Sequence, residues 1–212
     1  MMMHAYDNMY LDDAMKNLGE AFDYVANVLD MPMDEFLDMF IISGISEQFS
    51  SGVPKFVSGL SGTELVWEVM NRTGKTVNFL APKTEYDYSP EYWCGWILAY
   101  YQWYTCRNFK EIKKFLPMSE IYKLYYTLHE ASEEKFIDVA ESIFKRKDLP
   151  TKLQTIRKAI GISQKELSDK SGVTLRMIQQ YEQRAKDINK ATASNLFALA
   201  QTLGCKAEDL LE

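Results

Sequence analysis

Residues 161–182, GISQKELSDKSGVTLRMIQQYE, decide how the C-terminal part of this 212-residue chain folds. Ser163 is placed to cap a helix over about Gln164 to Lys170, with Leu167 facing inward while Gln164, Lys165 and Asp169 stay in water. Gly172 then supplies the left-handed conformation that a tight turn requires just past a helix. Thr174 caps a new helix that starts at Leu175 and ends near Gln183. Val173, Ile178 and Tyr181 recur at core spacing, which leaves Leu175, Arg176, Gln179 and Gln180 on the opposite face. Those side chains suit the edges of bases. Arginine bonds guanine O6 and N7 as a fork, glutamine does the same for adenine, and leucine touches a thymine methyl.

Outward from that turn, the apolar pattern continues from Leu153 to Leu210. The stretch resembles the Cro/CI-type (Xre) helix-turn-helix domains of bacterial and phage repressors. The residues that carry the resemblance are Leu153 and Arg157, Ser163-Gln164, Leu167, Gly172-Val173, Ile178, the Tyr181-Glu182 pair, and the closing Leu196, Leu199, Ala200, Leu203-Gly204 and Leu210. It implies a lambda-repressor-like domain of four or five helices that binds a double-stranded DNA operator. It assigns Gln164 to phosphate and Leu175, Arg176 and Gln180 to bases, with Gln179 beside them. Lys165, Thr174, Arg184, Lys186 and Lys190 complete the expected phosphate contacts. Two positions depart from the family pattern: Ser168 stands where alanine is usual against the turn, and Gln183-Arg184 replaces the usual glycine after Glu182. The second leaves the geometry of the following loop open.

Charge separates this segment from the rest. From Thr151 onward there are ten lysines and arginines against seven aspartates and glutamates, whereas the preceding 150 residues hold fourteen against twenty-three. Attraction to phosphate therefore belongs to the C-terminal segment, and the acidic remainder is repelled from DNA. A chain of this length has room for a larger and a smaller domain, each with its own core. Residues 1–147 and 148–212 are the expected domains, joined at Asp148-Leu149-Pro150. Cys94, Cys106 and Cys205 are odd in number and far apart, so a reducing cytoplasm is the expected setting rather than a disulfide framework. The N-terminus lacks an export signal, and no stretch reaches the roughly 18 apolar residues of a membrane span.

Residues 1–147 read as helical, so the whole chain is expected to be all-α. Leu11, Met15, Leu18, Phe22, Val25 and Leu29 fall at helical spacing over about Asp12 to Leu29, and Pro32 precedes a second helix from Met33 to Ile42. The glycine-rich stretch 43–62 predicts brief helices joined by turns. Ser61 and Glu64 form a capping-box pattern for a helix to about Asn71. Thr76, Val77 and Phe79 are consistent with a short strand, but a lone segment makes no sheet and a loop is expected. Ser89-Pro90-Glu91 opens a helix with aromatic or apolar residues nearly all round, from Tyr92 to Tyr104. Such a helix is expected at the centre of its domain, the alternative being an aromatic wall for a small effector or a partner groove. Asn108 and Glu111 open a further helix to about Leu116, and helices over Ser119 to Leu128 and Ser132 to Lys147 complete the bundle.

Catalysis finds no support. His4 belongs to an expected frayed terminus and His129 to a helix junction, and no metal-ligand cluster, phosphate loop or nucleophile elbow is present. No enzyme activity, metal or cofactor is therefore implied. The sequence points to a DNA-binding transcriptional regulator, a repressor by its resemblance, acting as a homodimer held mainly by its N-terminal domain. The alternatives are an antitoxin-like protein whose N-terminal domain binds a partner protein while the helix-turn-helix autoregulates the operon, and a small-molecule-sensing regulator.

Overall fold

The computed structural model describes residues 4–75, 80–81 and 88–212, apart from the side chains of residues 147 and 148. The regular structure among them is helical throughout, without a strand. Two compact units divide the chain, Met1–Phe144 and Lys145–Glu212.

α1 (Leu11–Asn27) is the hub of the first unit. Asp12 and Asp13 sit at its positive end, and Leu11, Met15, Leu18, Phe22 and Val25 are buried along one side, as their spacing predicts. Leu29 lies past the helix and is half-buried. Ala14, Gly19 and Ala21 are buried as well, so neighbours approach α1 from several directions. α2 (Met33–Ile42) begins right after Pro32, and the glycine-rich stretch forms the short α3 (Ile45–Ser50) and α4 (Pro54–Val57). α5 (Gly62–Thr73) opens with the expected capping box between Ser61 and Glu64. The Ser61 N–H bonded to the Glu64 carboxylate holds its pKa below the ordinary value. Thr76, Val77 and Phe79 lie outside the described residues.

α6 (Pro90–Thr105) starts at Ser89, whose hydroxyl accepts the Tyr92 N–H at 3.0 Å, with Pro90 in the first turn. It lies along α1, and the contact depends on two glycines. A Cβ on Gly95 would fall 2.3 Å from the carbonyl oxygen of Leu18, and one on Gly19 would meet the Tyr92 ring at 2.9 Å. The helix is central on one side only. Cys94, Ile97, Leu98, Ala99, Tyr101, Gln102 and Trp103 are buried with Gly95. Tyr92, Trp96, Tyr100 and Tyr104, four residues apart, form a half-buried stripe instead.

α7 (Phe109–Phe115), α8 (Met118–Leu128) and α9 (Glu133–Asp148) follow. The Asn108 side chain caps α7 by accepting the Glu111 N–H at 2.8 Å. α8 has no local cap, and Asp34 of α2 supplies one from 84 residues away: its carboxylate accepts the N–H groups of Met118 and Ser119 at 2.9 and 3.1 Å. Edge-on and stacked contacts among Phe22, Phe36, Phe40, Phe49 and Phe109 join α1, α2, α3 and α7. Each such ring removes enough apolar surface from water to contribute about 1.5–3 kcal/mol. Tyr101 and Arg107 both bond Glu141, which ties the end of α6 to α9.

His4 corrects an expectation. Its ring stacks on Trp103 at 3.8 Å, the Ala5 N–H donates to the Trp103 carbonyl at 3.0 Å, and the Trp103 indole donates to the Tyr6 carbonyl at 2.8 Å. Residues 4–6 are pinned to α6 rather than frayed, through contacts nearly 100 residues apart in sequence. His129 ends α8, with Nδ1 2.8 Å from the Tyr125 carbonyl oxygen.

The second unit consists of α10 (Lys152–Ile160), α11 (Gln164–Ser171), α12 (Leu175–Glu182) and α13 (Ala193–Leu203), with a short 3-10 helix at Ile188–Lys190 between α12 and α13 and another at Ala207–Leu210 after α13. Leu153, Leu167, Val173, Ile178, Tyr181, Ile188, Leu199, Leu203 and Leu210 form its core.

Candidate nucleic-acid interface

The turn between α11 and α12 is built from local chemistry. Ser163 and Glu166 close a reciprocal capping box at the start of α11, and the hydrogen bond from the Ser163 N–H lowers the Glu166 pKa. Gly172 takes φ +73°, the left-handed conformation in which a Cβ would be strained. Thr174 accepts the Met177 N–H at 3.3 Å and starts α12. Ser168, in place of the usual small apolar residue, directs its hydroxyl to the Val173 carbonyl at 2.7 Å. The departure from the family pattern thus adds a hydrogen bond across the turn.

α12 is held from beneath by a buried ion pair. The Arg157 guanidinium on α10 meets the Glu182 carboxylate as a fork, Nε to Oε1 at 2.6 Å and Nη2 to Oε2 at 2.8 Å. Its Nη1 donates to the Ile162 carbonyl at 2.8 Å. Side-chain exposures of 9% and 1% place both partners inside, where an ion pair is worth having only if nearly every donor and acceptor is satisfied. The Glu182 bond also holds Arg157 more firmly in its charged form. Gln164 joins this network by donating Nε2 to Glu182 Oε2 at 2.7 Å. One carboxylate therefore fastens α10, α11 and α12 together.

The opposite face of α12 carries Leu175, Arg176, Gln179 and Gln180 at positions that share one side of a helix. Arg176 is exposed and the other three are half-exposed. Among the residues expected at phosphate, Lys165, Thr174, Lys186 and Lys190 are exposed. Lys186 and Lys190 flank Ile188, which is buried and anchors the loop. Gln164 is half-buried, with its amide on Glu182.

Arg184 is placed differently from the other cations. It takes φ +56°, occupying the left-handed position where the family has glycine. That conformation costs a side-chain-bearing residue about 1–2 kcal/mol. The guanidinium offsets the cost within this unit: Nη1 pairs with Glu212, and Nη2 donates to the carbonyls of Arg146 and Leu149 at 3.0 and 3.1 Å. The donors that the sequence directs to phosphate are engaged in closing the loop.

The sequence reading did not single out Ile188 as an anchor or Glu212 as a clasp. The Glu212 carboxylate accepts the Lys152 N–H at 2.8 Å, and its own N–H donates to Asn189 at 3.0 Å. An isolated isoleucine in a polar loop was the only available signal for the first.

Among the described residues no helix is long and apolar enough to cross a membrane. Comparison with curated proteins and with solved structures gave no match, and no family model matches the N-terminal region. Residues 153–210 match the family model described as helix-turn-helix; the match supports DNA binding, and the C-terminal segment of this chain is a Cro/CI-type helix-turn-helix domain.

Proposed function

We propose that the protein is a sequence-specific transcriptional regulator of the repressor kind, cytoplasmic and without enzyme activity, which binds a double-stranded operator as a homodimer. α12 enters the major groove, Leu175, Arg176, Gln179 and Gln180 read bases, and Lys165, Thr174, Lys186 and Lys190 contact phosphate. The observation that carries this reading is the free polar face of α12, presented by a capped helix whose other side is locked to α10 and α11 through Glu182. A rigid support of this kind lets base-reading side chains approach a groove in one orientation.

The reading separates two kinds of loss. Arg176→Ala lowers affinity for an operator selected from random DNA by about 1–3 kcal/mol and relaxes preference at one base pair. Lys186→Ala weakens all sequences alike and makes the salt slope shallower by about one unit. Binding isotherms over a range of salt, on selected and scrambled duplexes, distinguish them. Equal affinity of Arg176→Ala and parent for the selected duplex removes Arg176 from base reading.

For the first unit, a partner protein is favoured over an enclosed small effector. The stripe Tyr92, Trp96, Tyr100 and Tyr104 lies half-exposed along α6, which suits a surface contact more than a pocket wall. Burial raises the Tyr100 pKa, and Glu134 and Glu133 raise it further, which places acidic groups beside the stripe. Changing Trp96 and Tyr100 together to alanine is expected to leave operator affinity at the parent level and to abolish regulation of an operator-driven reporter in the native host. Unchanged regulation would discard the partner surface.

A further inference from the structure

Within the first unit, one guanidinium shows how this scaffold holds a cation. Arg107 forks onto the Glu141 carboxylate of α9, and its Cζ stands over two rings, 4.3 Å from the centre of Phe144 and 5.9 Å from that of Tyr101 on α6. A planar, weakly hydrated cation gains from both kinds of neighbour: the carboxylate bonds its edge while the rings attract its face.

The same ingredients recur on the outside of the same two helices. Tyr88 continues the stripe of Tyr92, Trp96, Tyr100 and Tyr104 by one more interval of four residues, is 76% exposed and stacks on Tyr92 at 4.2 Å. Glu134 precedes Glu141 by seven residues, two turns of α9, so the two share a face of that helix. Glu133 and Glu134 lie near enough to Tyr100 to add to the rise in its pKa that burial causes. Glu133 is half-exposed and Glu134 exposed, and neither forms an ion pair among the described residues. Outside, then, aromatic faces on α6 and carboxylates on α9 stand together with no cation supplied by the described part of the chain.

Charge selects the occupant. A second copy meeting this face across a two-fold axis would bring the same carboxylates to the same rings, and any acidic partner would be repelled. A wholly apolar partner would cover Glu133 and Glu134 with no counter-charge. Lysine satisfies the carboxylates as a point charge, whereas arginine also lays a flat group on a ring.

We propose that the row of rings from 88 to 104, beside Glu133 and Glu134, is a docking surface for an arginine-rich segment of a partner protein, whose guanidinium groups lie over the rings and fork onto the carboxylates as Arg107 does within the unit. The inference rests on the reading of the stripe as a partner surface and names the chemistry of that partner.

The test uses the full-length protein and short labelled peptides in which serine alternates with arginine, with lysine or with glutamate, with binding followed by fluorescence anisotropy. The arginine peptide is expected to bind about fivefold or more tighter than the lysine peptide, and the glutamate peptide to show no binding. Trp96→Ala with Tyr100→Ala is expected to weaken the arginine peptide about tenfold or more, while Tyr100→Phe, which keeps the ring, stays within about twofold of the parent. Glu133→Gln with Glu134→Gln is expected to weaken it about tenfold. Glu47→Gln with Asp169→Asn removes the same charge from exposed positions on α3 and α11 and is expected to change it less than about twofold. Circular dichroism checks that each variant is folded; if the double alanine variant is not, the two glutamine substitutions and the lysine comparison decide. Equal binding of arginine and lysine peptides, or an equal loss in the Glu47 and Asp169 control, would show attraction to net charge alone and overturn the proposal. A parent dimer that dissociates on Trp96→Ala would give the face to a second copy and overturn it as well. If no peptide preference is found while the double alanine variant still loses regulation in the host, the partner surface stands and the arginine reading falls. Peptide binding as expected with regulation intact would sustain the arginine site and defeat the regulatory role of the stripe.

Discussion

Glu182→Ala is expected to destabilise the C-terminal unit by about 3–5 kcal/mol, because it leaves the Arg157 guanidinium inside with no counter-charge. Most small domains have only about 5–15 kcal/mol of stability in total, so the loss removes much of what holds this unit together. The measurement can be made on the intact chain. All four tryptophans, Trp67, Trp93, Trp96 and Trp103, lie in the first unit, so indole fluorescence follows that unit while far-ultraviolet circular dichroism follows both. The expected result is a dichroism component shifted to lower denaturant with the fluorescence transition unmoved. Replacing both partners, Arg157→Met with Glu182→Leu, is expected to recover more than half of the loss, because an apolar pair needs no charge satisfied. Gln164 is half-exposed and can take water in place of Glu182. A loss below about 1 kcal/mol in Glu182→Ala would mean that Arg157 escapes to solvent, and the pair would not be the fastening of α12.

Gly95→Val is expected to be the most damaging small-to-larger change on α6, with a cost near or above the top of the roughly 1–3 kcal/mol typical of overpacking. The reason is the identity of the obstacle. A Cβ at Gly95 would meet the Leu18 carbonyl oxygen at 2.3 Å and the Phe22 ring at 2.8 Å. A ring at the end of a side chain can turn, but a carbonyl inside α1 moves only with the helix. α1 and α6 would have to separate along their shared length, loosening Leu18, Phe22, Ile97 and Leu98 together. Indole fluorescence is expected to report an earlier unfolding transition, with operator affinity of the folded protein unchanged. Gly74→Ala supplies the contrast: no atom lies within 4 Å of its added Cβ, so its cost arises from φ +68° alone. Equal destabilisation by the two changes would show that the close approach of α1 and α6 is not what Gly95 serves.

Local chemistry was legible without coordinates wherever one side chain acts on a nearby backbone group. Ser61 with Glu64, and Ser163, Asn108 and Thr174 before α11, α7 and α12, each satisfy a free N–H group three residues ahead, so residue type and spacing carry the information. The inward faces of α1 and α12 were equally readable, because a helix repeats every 3.6 residues and apolar side chains must leave water. The charge contrast between the two parts of the chain needed only counting.

What the tertiary structure decided are the contacts between residues distant in sequence. Asp34 capping α8, His4 stacked on Trp103, and Glu182 clasping Arg157 and Gln164 leave no local period or spacing to read. The aromatic helix shows the division within a single element. Its sequence is apolar nearly all round, yet Gly95 turns one side against α1 and leaves Tyr92, Trp96, Tyr100 and Tyr104 half-exposed. Arg184 shows it for one residue: positive charge and loop position point to phosphate, while the backbone's need for a left-handed turn and the carbonyls and carboxylate around it direct the guanidinium inward. The sequence by itself determined the helices, their caps and the polar face of α12, since those follow from interactions within a few residues. Which charges and rings remain free to meet a partner was decided only by the fold, because burial and pairing depend on neighbours that the chain brings together from afar.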